Sequence, residues 1–176
     1  APEGRTLGII GMGRIGKAMA RRCHHAFDME VVFHDAFPVE DAGVPARQLD
    51  TVDAVLEAAD VVSLHCPGGG DNVHLIGAER LAKMKPQAII VNSARGDIID
   101  EAALVEALKA GTIAGAGLDV YEREPEVTEA LLSMTNVCLL PHLGSATRET
   151  REAMGMLVVE NVTAFFEGRE PPNRVA

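Results

Sequence analysis

A doubly wound α/β fold built on a parallel sheet is what three features of this sequence predict. Short apolar runs alternate with helix-patterned segments along the chain. A glycine-rich turn joins the first run to the first helical segment, and the polar, titratable residues recur where the apolar runs end. Alternation of this kind is what a parallel sheet covered by helices on both faces requires, and runs buried on both faces are continuously apolar. In such folds ligands sit beyond the carboxyl ends of the strands.

Six strands are expected, at 6–10, 30–34, 61–65, 88–92, 114–120 and 137–140. The first helix covers 15–25, with Ile15, Met19 and Cys23 sharing a face at i, i+4 and i+8. Phe37-Pro38 and Ala42-Gly43 mark a loop, and Val52, Val55 and Leu56 give the next helix, over 51–59, its period. Cys66-Pro67-Gly68-Gly69-Gly70 opens a flexible loop after the third strand. Residues 78–84 form a short helix closed by Pro86. Asp100 caps a helix that runs to Ala110 and stops at Gly111. A short helix covers 129–133, and Thr147 caps a long last helix that ends at Phe166, before Gly168 and Pro171-Pro172.

The turn reads Gly11-Met12-Gly13-Arg14-Ile15-Gly16, with a strand before it and a helix after it. This is the dinucleotide-binding βαβ pattern of a Rossmann-type domain. Gly11 permits the sharp turn, Gly13 lets backbone approach a pyrophosphate, and Gly16 lets the helix close on the sheet. The helix N-terminus then offers free N–H groups and a positive dipole end to the phosphates. Arg14 and Ile15, inside the turn, join the glycines as cofactor-binding candidates. Asp35 lies 19 residues past Gly16, at the end of the second strand, where a carboxylate accepts hydrogen bonds from an adenosine ribose. No arginine stands at 36–40 to welcome a 2′-phosphate, so NAD(H) is expected over NADP(H).

Composition narrows the function classes. A net charge of −10 disfavours nucleic acid as a partner, and the absence of Trp with a single Tyr removes most base-stacking platforms. No apolar run approaches the ~20 residues of a membrane span. Cys23, Cys66 and Cys138 are too few and too scattered for a disulfide framework or a zinc site, so no metal is expected. The N-terminal Ala-Pro-Glu-Gly-Arg has no apolar leader, and a reducing, cytoplasmic setting is expected.

Arg95, Glu124 and His142 are the catalytic candidates. An arginine fork holds a planar carboxylate by two parallel hydrogen bonds, although an arginine placed here serves equally in a surface ion pair. A histidine at a strand exit exchanges protons near neutral pH, and a carboxylate beside it favours its charged form. A Ser145, His142 and Asp119 hydrolase triad lacks the G-x-S-x-G elbow.

Four blocks carry a resemblance: G-M-G-R-I-G, V-N-S-A-R-G-D-I-I-D-E-A-A-L, G-A-G-L-D-V-Y-E-R-E-P and L-L-P-H-L-G-S-A-T. From Gly4 to Arg174 the chain resembles the D-isomer-specific 2-hydroxyacid dehydrogenases, most of all their glyoxylate/hydroxypyruvate reductase branch. The resemblance implies an NAD-dependent oxidoreductase that moves a hydride between NAD(H) and a small 2-oxo or 2-hydroxy acid. It implies that Arg95 holds the acid, that His142 is the acid/base, that Glu124 orients and charges His142, and that Asp119 bonds the nicotinamide carboxamide. Cys66, Pro67, Asn72, Ser93, Ala94, Arg95, His142, Gly144 and Ser145 complete the implied cofactor contacts, and the whole enzyme is expected to be a homodimer. One departure is the Gly68-Gly69-Gly70 run, where many relatives carry a leucine, a threonine and a proline. Members of the family are about twice this length, and their substrate domain is built mostly from an N-terminal segment. The chain is therefore expected to be a single dinucleotide-binding domain over 1–176, with a C-terminal helix and tail and the substrate domain largely absent. An NAD(H)-sensing binding module without turnover is the alternative, because corepressors of the C-terminal-binding-protein type are similar to the same family.

Overall fold

The structure, a computed structural model, describes residues 2–175. The chain divides into a larger unit that ends at Pro141 and a smaller one that begins at His142.

In the larger unit, seven strands among the described residues form one sheet: β1 (Thr6–Ile10), β2 (Glu30–His34), β3 (Ala46–Gln48), β4 (Val61–Leu64), β5 (Ile89–Asn92), β6 (Gly115–Leu118) and β7 (Val137–Leu139). Their order is β3-β2-β1-β4-β5-β6-β7, and every pairing is parallel. The helices are α1 (Arg14–Phe27), α2 (Val52–Ala58), α3 (Ala78–Leu81), α4 (Glu101–Ala110) and α5 (Glu129–Leu132), with short 3-10 turns at Gly70–Asn72 and Gly96–Ile98. The expected fold class holds.

β1 lies inside the sheet, with Leu7 in register with Val31 on one side and Val61 on the other. Its Leu7, Ile9 and Ile10 are buried, as a strand covered on both faces must be. One core cluster gathers Leu7, Ile9, Met12, Ala20 and Phe33; the other gathers Ile10, Val55, Leu56, Leu64, Ile90 and Leu104. At the N-terminal edge, the Asp60 carboxylate accepts from the Thr6 N–H (2.9 Å) and takes Lys85 at 3.1 Å.

Two expectations need correction. A seventh strand, β3, lies between the expected second strand and the next helix, where none was expected, in register with β2 through Val31–Ala46, Val32–Arg47 and Phe33–Gln48. Ala-Arg-Gln carries no apolar run because β3 is a short edge strand, where a polar sequence is normal. Ile15 does not share the packed face of α1. It is 68% exposed, and Gly16 and Ala20 are the buried positions, with Met19 and Cys23 packing beside them. Small side chains at Gly16 and Ala20 let α1 close on the sheet, and Ile15, on another face of the helix, stays exposed.

The smaller unit contains α6 (Arg148–Phe166), capped by Thr147, whose Oγ1 accepts from the Thr150 N–H at 3.2 Å. Met154, Met156, Leu157, Val158, Val159, Val162, Phe165 and Phe166 are all exposed on it. No helix among the described residues is long and apolar enough to cross a membrane.

Candidate cofactor and catalytic site

The chain leaves β1 towards β2 and β3 on one side, then crosses back to β4 and continues outward on the other. β1 and β4 therefore form the switch point, where open α/β sheets bind ligands. Their exits are pressed together. Gly11 has φ +92°, and a Cβ there would lie 2.7 Å from the Cys66 nitrogen. A Cβ on Gly16 would lie 2.3 Å from the Gly11 oxygen. The fold itself demands both glycines. Gly13 differs, because a Cβ there would meet nothing within 4 Å. It is the N-cap of α1, makes no side-chain cap bond, and no acidic residue sits in the first turn. No side chain caps the first N–H groups of α1 and its first turn carries no acid, so these residues fit a dinucleotide pyrophosphate.

Asp35, past the end of β2, accepts from the Met12 N–H at 2.7 Å through one oxygen and from the Phe37 N–H at 3.1 Å through the other. It braces the glycine turn as well as presenting a carboxylate. Gln48 on β3 holds the same bend: its amide donates to the Phe37 carbonyl at 2.9 Å and accepts from the Val39 N–H at 3.0 Å.

At the β4 exit, burial pushes the Cys66 thiol up and the His65 imidazole down from their ordinary values. Ser63 Oγ lies 2.9 Å from His65 Nε2. Both residues belong to the packing of the edge. Pro67 and Asn72 are tied to each other, the Asn72 amide donating to the Pro67 carbonyl at 3.0 Å. The Gly69 N–H donates to Asp97 at 2.8 Å, so the glycine loop folds onto the neighbouring exit.

At the β5 exit, Asn92 shapes the turn through Ser93 and Ala94. Its amide donates to the Arg95 carbonyl at 2.8 Å and accepts from the Ala94 N–H at 3.1 Å. Arg95 is exposed, and one guanidinium N–H rests on the Ala94 carbonyl. The next residue, Gly96, packs its Cα on the Tyr121–Glu122 peptide, where a Cβ would stand 1.9 Å from Tyr121 backbone atoms. The Arg95 turn and the loop after β6 are thereby joined. That loop begins at buried Asp119, whose N–H donates to the Asn92 carbonyl at 2.9 Å, and carries exposed Glu124. Glu124 accepts from the Tyr121 N–H at 3.0 Å, and the Tyr121 hydroxyl donates to the Leu140 carbonyl at 2.8 Å. Glu101 holds the loop at two further points, accepting from the Glu122 N–H at 2.6 Å and the Thr128 hydroxyl at 2.5 Å. His74 Nε2 meets a Glu122 oxygen at 2.7 Å, which holds its imidazole above the ordinary value. Sequence reasoning missed Asn92, Gly96 and Glu101. A carboxylate directly after the helix cap Asp100 was the available signal for Glu101.

His142 opens the smaller unit with φ +56°. A side chain in that region costs roughly 1 kcal/mol or more, and such residues cluster at functional sites. Gly144 and Ser145 follow it, and the Ala146 N–H closes the turn on the Leu143 carbonyl at 2.9 Å.

Residues 1–144 match the model of the D-isomer specific 2-hydroxyacid dehydrogenase NAD binding domain. The chain is 49% identical to a glyoxylate reductase of Korarchaeum cryptofilum, over 98% of this chain and 52% of that protein. It is 45% identical to the glyoxylate reductase of Thermococcus litoralis, again over 98% of this chain and 52% of that protein. Among solved structures, the NADPH-dependent glyoxylate/hydroxypyruvate reductase of Sinorhizobium meliloti, in complex with NADP and malonate, matches with a TM-score of 0.93 and 46% identity, over 98% of this chain and 53% of that one. The chain spans about half the length of the relatives it matches.

Proposed function

The chain belongs to the D-isomer specific 2-hydroxyacid dehydrogenases, as their NAD-binding domain, and from that premise we propose that the whole protein reduces a small 2-oxo acid, glyoxylate or hydroxypyruvate, to the 2-hydroxy acid. The observation that carries this reading is the joined pair of exits, where Gly96 locks the Arg95 turn against the loop of Glu124 on the same sheet edge as the dinucleotide turn. The enzyme names of the relatives above favour turnover over a cofactor-sensing module without chemistry.

Gly11, Gly13, Arg14, Ile15 and Gly16 would hold the pyrophosphate, and Asp35 the adenosine ribose. Cys66, Pro67, Asn72, Ser93, Ala94, Asp119, Gly144 and Ser145 complete the cofactor contacts. When bound, the dinucleotide supplies the hydride that reduces C2 of the acid. Arg95 grips the substrate carboxylate and polarises the carbonyl. His142 donates a proton to the oxygen at C2, and Glu124 steadies the charged imidazole from which that proton comes. Electrostatic help of this kind is strong only in a site closed to water.

We assign NADH over NADPH to Asp35, whose carboxylate is fixed by Met12 and Phe37 where a 2′-phosphate would bring like charge. The NADPH dependence named for the Sinorhizobium meliloti relative makes titration of both cofactors the direct check, and tighter NADPH binding would overturn the assignment. We further place the protein in the cytoplasm, supported by three free cysteines. A homodimer is supported by the exposed apolar side chains of α6, which call for cover.

The reaction is tested by following NADH absorbance with the whole protein and each acid. His142→Gln is expected to lower kcat by roughly 10²-fold or more, the scale of a lost general acid. Glu124→Gln is expected to displace the pH profile of kcat/KM. Near-normal turnover by His142→Gln would remove the proposed mechanism.

A further inference from the structure

We propose that Glu101 is the positioning residue for the catalytic carboxylate, setting the place of Glu124 by clamping its loop at both ends. This rests on the reading of Glu124 given above.

Glu101 is the first residue of α4 and is only 6% exposed. A carboxylate buried to that degree is costly unless its oxygens are hydrogen-bonded. Both oxygens are used on one loop and on opposite sides of Glu124. One takes the Glu122 N–H at 2.6 Å, and the other takes the Thr128 hydroxyl at 2.5 Å. The position also suits the charge, because the helix N-terminus carries a partial positive charge that favours an acid in the first turn.

The continuity of the chain gives the clamp its meaning. Arg95 leads into Gly96–Ile98, and Asp100 then caps α4, its carboxylate accepting from the Ala103 N–H at 3.0 Å. Glu101 follows on that rigid corner. The element that fixes the substrate-binding arginine therefore also fixes the loop that steadies the proton donor. The contact between Gly96 and Tyr121 sets how close the two segments come. Glu101 fixes the course of the loop beyond that point, over the stretch where Glu124 lies. No other acid of α4 is buried: Glu106 is exposed and paired with Lys109 at 3.0 Å.

Glu101→Leu keeps much of the bulk of the side chain but removes both acceptor oxygens, so the ties to the Glu122 N–H and the Thr128 hydroxyl are both lost. In the whole protein, amide hydrogen exchange at Glu122 is expected to quicken by roughly tenfold or more. NADH affinity is expected to stay within about twofold, because Glu101 lies outside the dinucleotide turn. With glyoxylate, kcat is expected to fall by roughly 10- to 100-fold while KM moves little. The alkaline limb of kcat/KM is expected to move to lower pH, since a displaced carboxylate supports the charged imidazole less well. A purely structural role would lower stability without moving that limb. If Glu101→Leu does not fold, Thr128→Val removes a single tie, and a smaller shift of the limb in the same direction is expected. Wild-type turnover with superimposable variant profiles, or unchanged exchange at Glu122, overturns the role of Glu101 alone. A wild-type protein that reduces neither acid overturns the proposed reaction and this inference together.

Discussion

Gly13 and Gly96 are glycines for opposite reasons. Space around Gly13 is open, so the protein itself does not need a glycine there, and a bound phosphate is what the missing Cβ would leave room for. Gly13→Ala is expected to leave the unfolding midpoint nearly unchanged while weakening NADH binding by roughly tenfold, about 1.4 kcal/mol. Gly96→Ala is expected to do the reverse and lower stability by ~2–3 kcal/mol or more, as an inserted methyl forces backbone apart. Denaturant unfolding and cofactor titration, run on both variants, separate the two. The job of Gly13 was legible because motif, strand and helix are contiguous. That of Gly96 was not, because its partner Tyr121 lies on another loop. His74 adds a pH signature: its partner Glu122 raises it above 6.5. Its contribution is therefore fully present below pH 6.5 and fades as pH rises through the raised value. Solvent screening keeps so exposed a pair to ~0.5 kcal/mol. The stability gap between wild type and His74→Gln should be widest in mild acid and shrink above neutrality.

Among the elements, β1, β2 and β4–β6 were legible because strands buried on both faces must be written as apolar runs, and β7, an edge strand, was legible from its own Val-Cys-Leu run. β3 was hidden because its edge position allows the polar sequence Ala-Arg-Gln, and its Gln48 ties the strand to the bend at Phe37 and Val39. The cap positions of α4 and α6 were also legible, since Asp100 and Thr147 satisfy backbone donors through local chemistry. The N-terminal edge depends on Asp60. Hydrogen bonding from Thr6, followed by Lys85 and then Arg5, holds its carboxyl below the usual 3.8. A depressed carboxyl contributes stability above that value and loses it as pH falls. Asp60→Asn is expected to cost ~1–2 kcal/mol at neutral pH, with the difference closing in strong acid. Urea unfolding at pH 7 and pH 3 measures both, and equal gaps would remove Asp60 from the acid response.

At the scale of the molecule, parallel topology with ligand-facing exits on one edge was legible from alternation alone. The clamp between neighbouring exits was not, because it depends on which strands become adjacent. The 176-residue chain by itself is expected to bind NADH in calorimetry yet reduce neither oxo acid measurably, because it spans about half of its relatives and a closed site needs more of the protein. Sedimentation of the whole protein is expected to give a dimer.

The interior place of β1 also has a consequence for how the chain is made. The contact that joins the start of β1 to the start of β4 spans 54 residues. At ~5–20 residues per second on the ribosome, several seconds pass before β4 can be delivered. Throughout that interval the most apolar strand of the nascent domain has one flank with no native neighbour. Parallel sheets fold slowly for this reason, and chaperone demand during synthesis should fall most steeply once the segment at 61–64 has left the exit tunnel.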